Sequence, residues 1–289
     1  EELLQQVGET YATSYSSPFL YAFGPNQNSA MYTTAHIPWG GLTFGFGVKV
    51  MATHMNEDDQ FFSKNIENVT IADYDPGYNP SNPAYDADTV GHIVMRGPTI
   101  FGDPDTEGSI SGYANGIEIF RESTIAGLVK SNFIPLAAPE AYIGGVFGLK
   151  LTVRYFPEID MSEYGKTKYF GYGLQWSPNG LLPDFPVDVM VGFFDQELSV
   201  GTLLQTNAST MFIGASKEFG ILRAYGGFAK DSSDMSISYE YIDEGIDVSF
   251  DIEGSQESHI TLGVSVFGLS VEMNKGDLTT YSSGLMIGF

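Results

Sequence analysis

The sequence predicts an all-β fold: a transmembrane antiparallel β-barrel of about twelve strands, with ten to fourteen allowed, behind an N-terminal plug. Three observations predict it. Apolar residues alternate with small or polar ones at a period of two in segment after segment. Short turns and longer polar connections alternate in step between those segments. No apolar run approaches the roughly 18 residues that a membrane helix requires, so any crossing must be made by strands.

Composition agrees. A mean hydropathy of −0.05 suits strands that average an apolar outer face against a polar inner one. The 34 Gly, 21 Phe and 17 Tyr suit strands, tight turns and interfacial girdles. With no Cys, disulfides and thiolate metal sites are excluded. A net charge of −23 argues against nucleic acid as a partner, because phosphates need Lys and Arg. The chain starts at Glu1 without a basic segment and apolar stretch, and the expectation is that a secretory signal has been removed.

Residues 1–38 do not alternate. A short helix is expected from Glu1 to about Val7, and Pro18, Gly24-Pro25 and Pro38 punctuate the remainder. Phe19, Leu20, Tyr21, Phe23 and Met31 favour insertion of this segment into the lumen as a plug, because they would otherwise be exposed. The barrel is assigned to 39–289. Its first strand carries Phe44, Phe46, Val48 and Val50 against Thr43, Gly45, Gly47 and Lys49. An acidic extracellular loop follows at 55–90, and strand parity asks for a pair, placed at about 90–101 and 113–122.

Nine strands are counted from about 139 to the end. Leu149, Leu151, Val153 and Tyr155 alternate with Lys150, Thr152 and Arg154. Comparable runs start at Phe170, Val187, Ile260 and Leu269. Phe147-Gly148-Leu149, Phe219-Gly220-Ile221 and Phe267-Gly268-Leu269 mark tight turns, with Gly supplying unusual dihedrals. A second acidic element, 231–257, contains alternating runs on either side of Asp243-Glu244-Gly245 and reads as a hairpin projecting beyond the membrane. Its apolar face is expected to cover the barrel rim, the alternative being a docking edge for an envelope protein. Tyr281, Leu285, Ile287 and Phe289 share one face of the last strand. That ending resembles the last strand of bacterial outer-membrane barrels, and the resemblance implies a recognition signal for the barrel-assembly machinery, with outer-membrane lipid as the other partner.

The run 21–36 has the core Asn28-Ser29-Ala30-Met31-Tyr32-Thr33-Thr34-Ala35-His36. Gly97-Pro98-Thr99, Arg154-Tyr155-Phe156-Pro157 and Phe170-Gly171-Tyr172-Gly173 follow in order. Together these motifs resemble an uncharacterised family of outer-membrane barrels of Bacteroidota and their relatives, known only as a domain of unknown function. More distantly, a plug-like N-terminus before a barrel is similar to the long-chain fatty-acid transporter superfamily. That likeness implies movement of hydrophobic molecules, or partnership with secretion machinery. Neither resemblance supplies catalytic residues.

Candidate chemistry is sparse. The imidazoles are His36, His54, His92 and His259, with no Gly-x-Ser-x-Gly elbow and no zinc-ligand spacing. His54, beside Glu57, Asp58 and Asp59, is the one candidate base, and a solvated loop histidine is the preferred reading. Asp73 and Asp75, Asp86 and Asp88, and Asp103 and Asp105 stand two apart, as hard oxygen ligands for Ca²⁺ could. They lack EF-hand order, so a solvated acidic loop is preferred and no other cofactor is expected. Lys49, Lys150, Arg154 and Glu272 should face the lumen, either attracting anionic groups or pairing with plug residues. The expected function is a porin-like, non-enzymatic channel or transporter of the bacterial outer membrane for small hydrophobic or amphipathic molecules. The alternative is a structural barrel that anchors or accompanies surface or secretion proteins. A lipid-modifying enzyme comes third.

Overall fold

The computed structural model describes residues 2–70, 90–160, 166–182, 184–201, 204–241 and 246–289. In chain order its elements begin with α1 (Glu2–Gln27), β1 (Thr43–His54), β2 (Phe61–Thr70), β3 (Val90–Pro98), β4 (Glu107–Ala114) and β5 (Ile117–Ala126). Then come β6 (Phe133–Val146), β7 (Leu149–Asp160), β8 (Lys166–Trp176), β9 (Asp188–Val200) and β10 (Leu204–Phe219). The chain closes with β11 (Leu222–Tyr241), β12 (Ile246–Glu253), β13 (Ser258–Val266), β14 (Leu269–Lys275) and β15 (Thr279–Gly288). Two compact units result: Glu1–Phe19 with Asn56–Asn132, and Leu20–Met55 with Phe133–Phe289.

The second unit is the barrel. Among the described residues ten antiparallel strands run β1-β6-β7-β8-β9-β10-β11-β13-β14-β15, and pairing of β15 with β1 closes the ring. The eleventh, β12, lies outside it, paired to the distal half of β11. Alternation decides which face is which. Phe46, Val48, Leu174, Leu262, Val271 and Leu285 are exposed on the outer face, while Lys49, Thr152, Arg154, Gln175, Gln196 and Glu272 are buried on the inner one. A soluble protein has no reason to expose a continuous apolar belt around a polar interior; a strand-built membrane protein requires it.

Tight turns sit where the Phe-Gly motifs predict. Phe147 (φ 52°) and Gly148 (φ 72°), like Phe267 (φ 50°) and Gly268 (φ 85°), place two successive residues in the left-handed region, the geometry of two-residue hairpins. The surprise is that Phe shares the strained conformation. The expected nine strands from about 139 are present as β6–β11 and β13–β15, although β6 starts at Phe133. Among the described residues the closed barrel has ten strands rather than twelve, the lower end of the ten to fourteen allowed. The pair placed at 90–101 and 113–122 belongs to a separate sheet, and the second of these is interrupted by an Asn115-Gly116 turn, both residues at positive φ. The Asp243-Glu244-Gly245 turn lies outside the described residues.

The first unit is a four-stranded antiparallel sheet, β2-β3-β4-β5, covered by the first part of α1. Leu3, Val7, Tyr11 and Tyr15 recur every four residues and pack on a core of Phe62, Ile66, Val69, Ile93 and Met95. Tyr11 also shares a 2.7 Å hydrogen bond with Thr124 Oγ1. Residues 56–126, assigned by sequence to acidic loop and barrel, therefore divide differently from the 39–289 expectation. The helix is likewise longer than the expected 1–7. It runs through Pro18 to Gln27, although a proline inside a helix costs roughly 3 kcal/mol. No helix among the described residues is long and apolar enough to cross a membrane.

Candidate functional site

Residues 20–37 bring the chain into register with the polar inner face of the barrel, and most of them are buried. After α1 ends, Ala30 turns the backbone through a left-handed conformation (φ 57°), and the freed peptide groups need partners. Inward side chains of the strands supply them. Arg154, 0% exposed, donates through Nη2 to Ala30 O at 2.6 Å and through Nη1 to Ser29 O at 3.1 Å and Gln27 O at 3.3 Å. Its Nε donates to Glu140 Oε2 at 2.9 Å, so the buried guanidinium is paired with a carboxylate and each of its nitrogens donates to at least one acceptor. Glu272 Oε1 accepts from Ala30 N at 2.9 Å, Gln175 Nε2 donates to Met31 O at 2.9 Å, and Ser216 Oγ accepts from Ala35 N at 2.9 Å. Four strands thereby grip one short segment.

Apolar packing fixes the rest. Tyr32 stacks on Phe212 with centroids 5.2 Å apart and meets Tyr225 at 5.6 Å. Its hydroxyl lies over the paired Gly214 and Gly227, where any Cβ would collide with the tyrosine. These inner-face glycines are thus docking notches. Gly173, Gly192 and Gly263 serve the same way for Phe194, Phe212 and Tyr225, their cross-strand neighbours.

At the tight-turn end, the interior opens into a vestibule of about 540 Å³. Its lining includes Lys49, Lys150 and Arg223 as cations, Glu140 as the acid, and Tyr32 and Tyr142 as aromatics. Lys150 Nζ sits 5.4 Å from the centroid of the Tyr142 ring. Arg223 is engaged by Glu218 through Nε and Nη2. His36, at the rim, contacts Asp188 Oδ1 at 3.1 Å. The structure brings Lys49, Arg154 and Glu272 onto the buried inner face and Lys150 to the vestibule wall. The acidic partner found for Arg154 is Glu140, a barrel residue. Glu140 escaped the sequence reading although it ends an inward run of Ile134, Leu136 and Ala138, which signals it.

A second buried pair was also missed. His259 Nδ1 lies 2.6 Å from Asp231 Oδ2, and Asp231 accepts from Thr210 Oγ1 at 2.7 Å and Gln256 Nε2 at 3.0 Å. These contacts satisfy the carboxylate, and the four residues form a structural strut between β10, β11 and β13. His54 lies outside this network and ends β1 with its ring edge-on to Phe133 at 4.9 Å. Of the Ca²⁺ candidates, Asp73, Asp75, Asp86 and Asp88 lie outside the described residues. Asp103 accepts from Lys130 Nζ at 2.8 Å and from Asp105 N at 2.9 Å, and these contacts hold its carboxyl below the usual carboxylate range. Among the described residues no group of three or more His, Cys, Asp or Glu is placed to hold a metal ion. Tyr281, Leu285, Ile287 and Phe289 all face outward, and Phe289 exchanges two backbone hydrogen bonds with Phe44 at 2.8 and 3.1 Å.

One family model, described as Family of unknown function (DUF6588), matches residues 1–289. No curated protein matches the chain. Among solved structures the chain is similar to OmpT, an outer membrane protein of Vibrio cholerae in its trimer form, at 10% identity and TM-score 0.27, with 86% of this chain and 100% of that chain covered. An anion-selective porin from Comamonas acidovorans follows at 12% identity and TM-score 0.20, covering 86% and 99%. The Ralstonia pickettii toluene transporter TbuX has 10% identity and TM-score 0.18, covering 93% and 98%. Likenesses of this size carry no argument from those proteins to this one.

Proposed function

We propose that this chain, which belongs to that family of unknown function, is a non-enzymatic outer-membrane barrel that passes small molecules, with residues 20–37 as the plug that limits passage. One observation carries the reading: a closed barrel with an apolar outer belt encloses a polar interior, occupied by a segment held through reversible hydrogen bonds rather than covalently. Passage requires that segment to shift, which exchanges its contacts with Arg154, Gln175 and Glu272 for water. Support for a bacterial outer-membrane location comes from the same belt and from the short turns gathered at one end. The hydrophobic or amphipathic cargo expected from the fatty-acid transporter resemblance is part of the proposal only.

Swelling of liposomes that carry the purified full chain tests it. Small uncharged solutes are expected to enter faster than into protein-free liposomes; equal rates with correctly inserted protein would sink the transport reading. A second reading, a structural or interaction barrel, is favoured by β12, which among the described residues pairs with β11 alone and leaves a strand edge for a partner. Stoichiometric co-purification of an envelope protein without solute entry is the outcome that reading expects. Bound Ca²⁺ at the Asp pairs remains the minor element of the proposal, read by calcium titration of the full chain.

A further inference from the structure

We infer that the basic vestibule is a binding site for a small anion that presents carboxylate or phosphate oxygens. As a substrate site it rests on the transport reading; as a binding site it does not. The whole chain carries −23 net charge and only 13 Lys and Arg, yet three of those cations line this one cavity. Ion pairs account for part of that charge. Glu140 is committed to Arg154, and Arg223 is committed to Glu218. Lys49 and Lys150 are left, and among the described residues neither side-chain ammonium makes a hydrogen bond or ion pair.

Lys49 is the telling one, because it is 2% exposed and borders the cavity. A buried ammonium without a hydrogen-bonded counter-charge is costly, and its acidic neighbours Glu140 and Glu272 act on it only through space. Glu272 already accepts from Ala30 N and Asn274 Nδ2, at 2.9 and 2.6 Å. Lys150 has an aromatic face, Tyr142, where a carboxylate is absent. An anion seated in the vestibule supplies acceptors and counter-charge to both ammonium groups, whereas a neutral solute supplies no counter-charge and a cationic one is repelled. Low-dielectric walls focus the positive field of such a cleft, and about 540 Å³ suits a small organic anion. Two sources present this chemistry at the tight-turn end: a free solute and the headgroup of an anionic lipid.

Calorimetric titration of the full chain in uncharged detergent tests the site, using inorganic phosphate and succinate as soluble probes and phosphatidylglycerol bicelles as the lipid probe. Saturable binding of one probe is expected, weakened about tenfold by Lys150→Gln and by Lys49→Met. Lys130→Gln, in the other unit, should leave it unchanged. Lys150 is half-buried at the cavity wall, so its variant remains informative if Lys49→Met fails to fold. Binding confined to the bicelles, still dependent on Lys150, assigns the headgroup as source. No saturable binding, or binding indifferent to Lys150→Gln, overturns the inference. Anion binding without solute entry into liposomes defeats the transport reading alone, and entry without Lys150-dependent binding defeats the anion site alone.

Discussion

Replacing Arg154 with Ala leaves Glu140 buried without its partner and strips donors from three carbonyls, those of Gln27, Ser29 and Ala30. Removal of one member of a buried ion pair costs about 3–5 kcal/mol, so Arg154→Ala should lower the denaturation midpoint clearly. Arg154→Lys keeps the charge but loses the planar fork that reaches Glu140 and the carbonyls together, and should fall between. Equal midpoints for wild type and Arg154→Ala in denaturant titrations would show that the network is dispensable. Sequence alone put Arg154 and Lys49 on the inner face, because period-two alternation fixes facing. It could not supply their partners. Glu140 is 14 residues from Arg154, and Asp231 is 28 from His259, distances that only strand register brings together.

At the scale of the element, the tight hairpins allow a controlled comparison. Gly148 and Gly220 both have positive φ, at 72° and 66°, but a Cβ at Gly148 would stand 2.2 Å from Ser177 O while one at Gly220 meets open space. Gly220→Ala should cost only the left-handed backbone penalty, about 1–2 kcal/mol. Gly148→Ala adds a backbone collision and should lower the denaturation midpoint further; equal shifts would contradict the turn geometry. These turns were legible because Phe-Gly punctuates clean alternating runs. The four-stranded sheet was not. Its apolar face is covered by α1 rather than by lipid, and alternation reads the same whichever of the two covers it. The helix itself was hidden by Pro18 and by Gly24, a glycine that the sequence offers as a breaker but the fold uses to bring the last turn against Ser233.

For the whole molecule, the proposed function makes one claim: the barrel conducts only when residues 20–37 move. The chain has no Cys, so an engineered pair can lock that segment without side reactions. Ala35 N donates to Ser216 Oγ at 2.9 Å, so the two residues are neighbours and form the pair to cross-link, subject to verification of the disulfide. The direct measurement is planar-bilayer conductance of the Ala35→Cys/Ser216→Cys double variant, oxidised and then reduced in the same membrane. The account predicts a silent oxidised barrel and recovery of wild-type conductance on reduction. Conductance that is the same in both states, with the disulfide verified by mass, would contradict it.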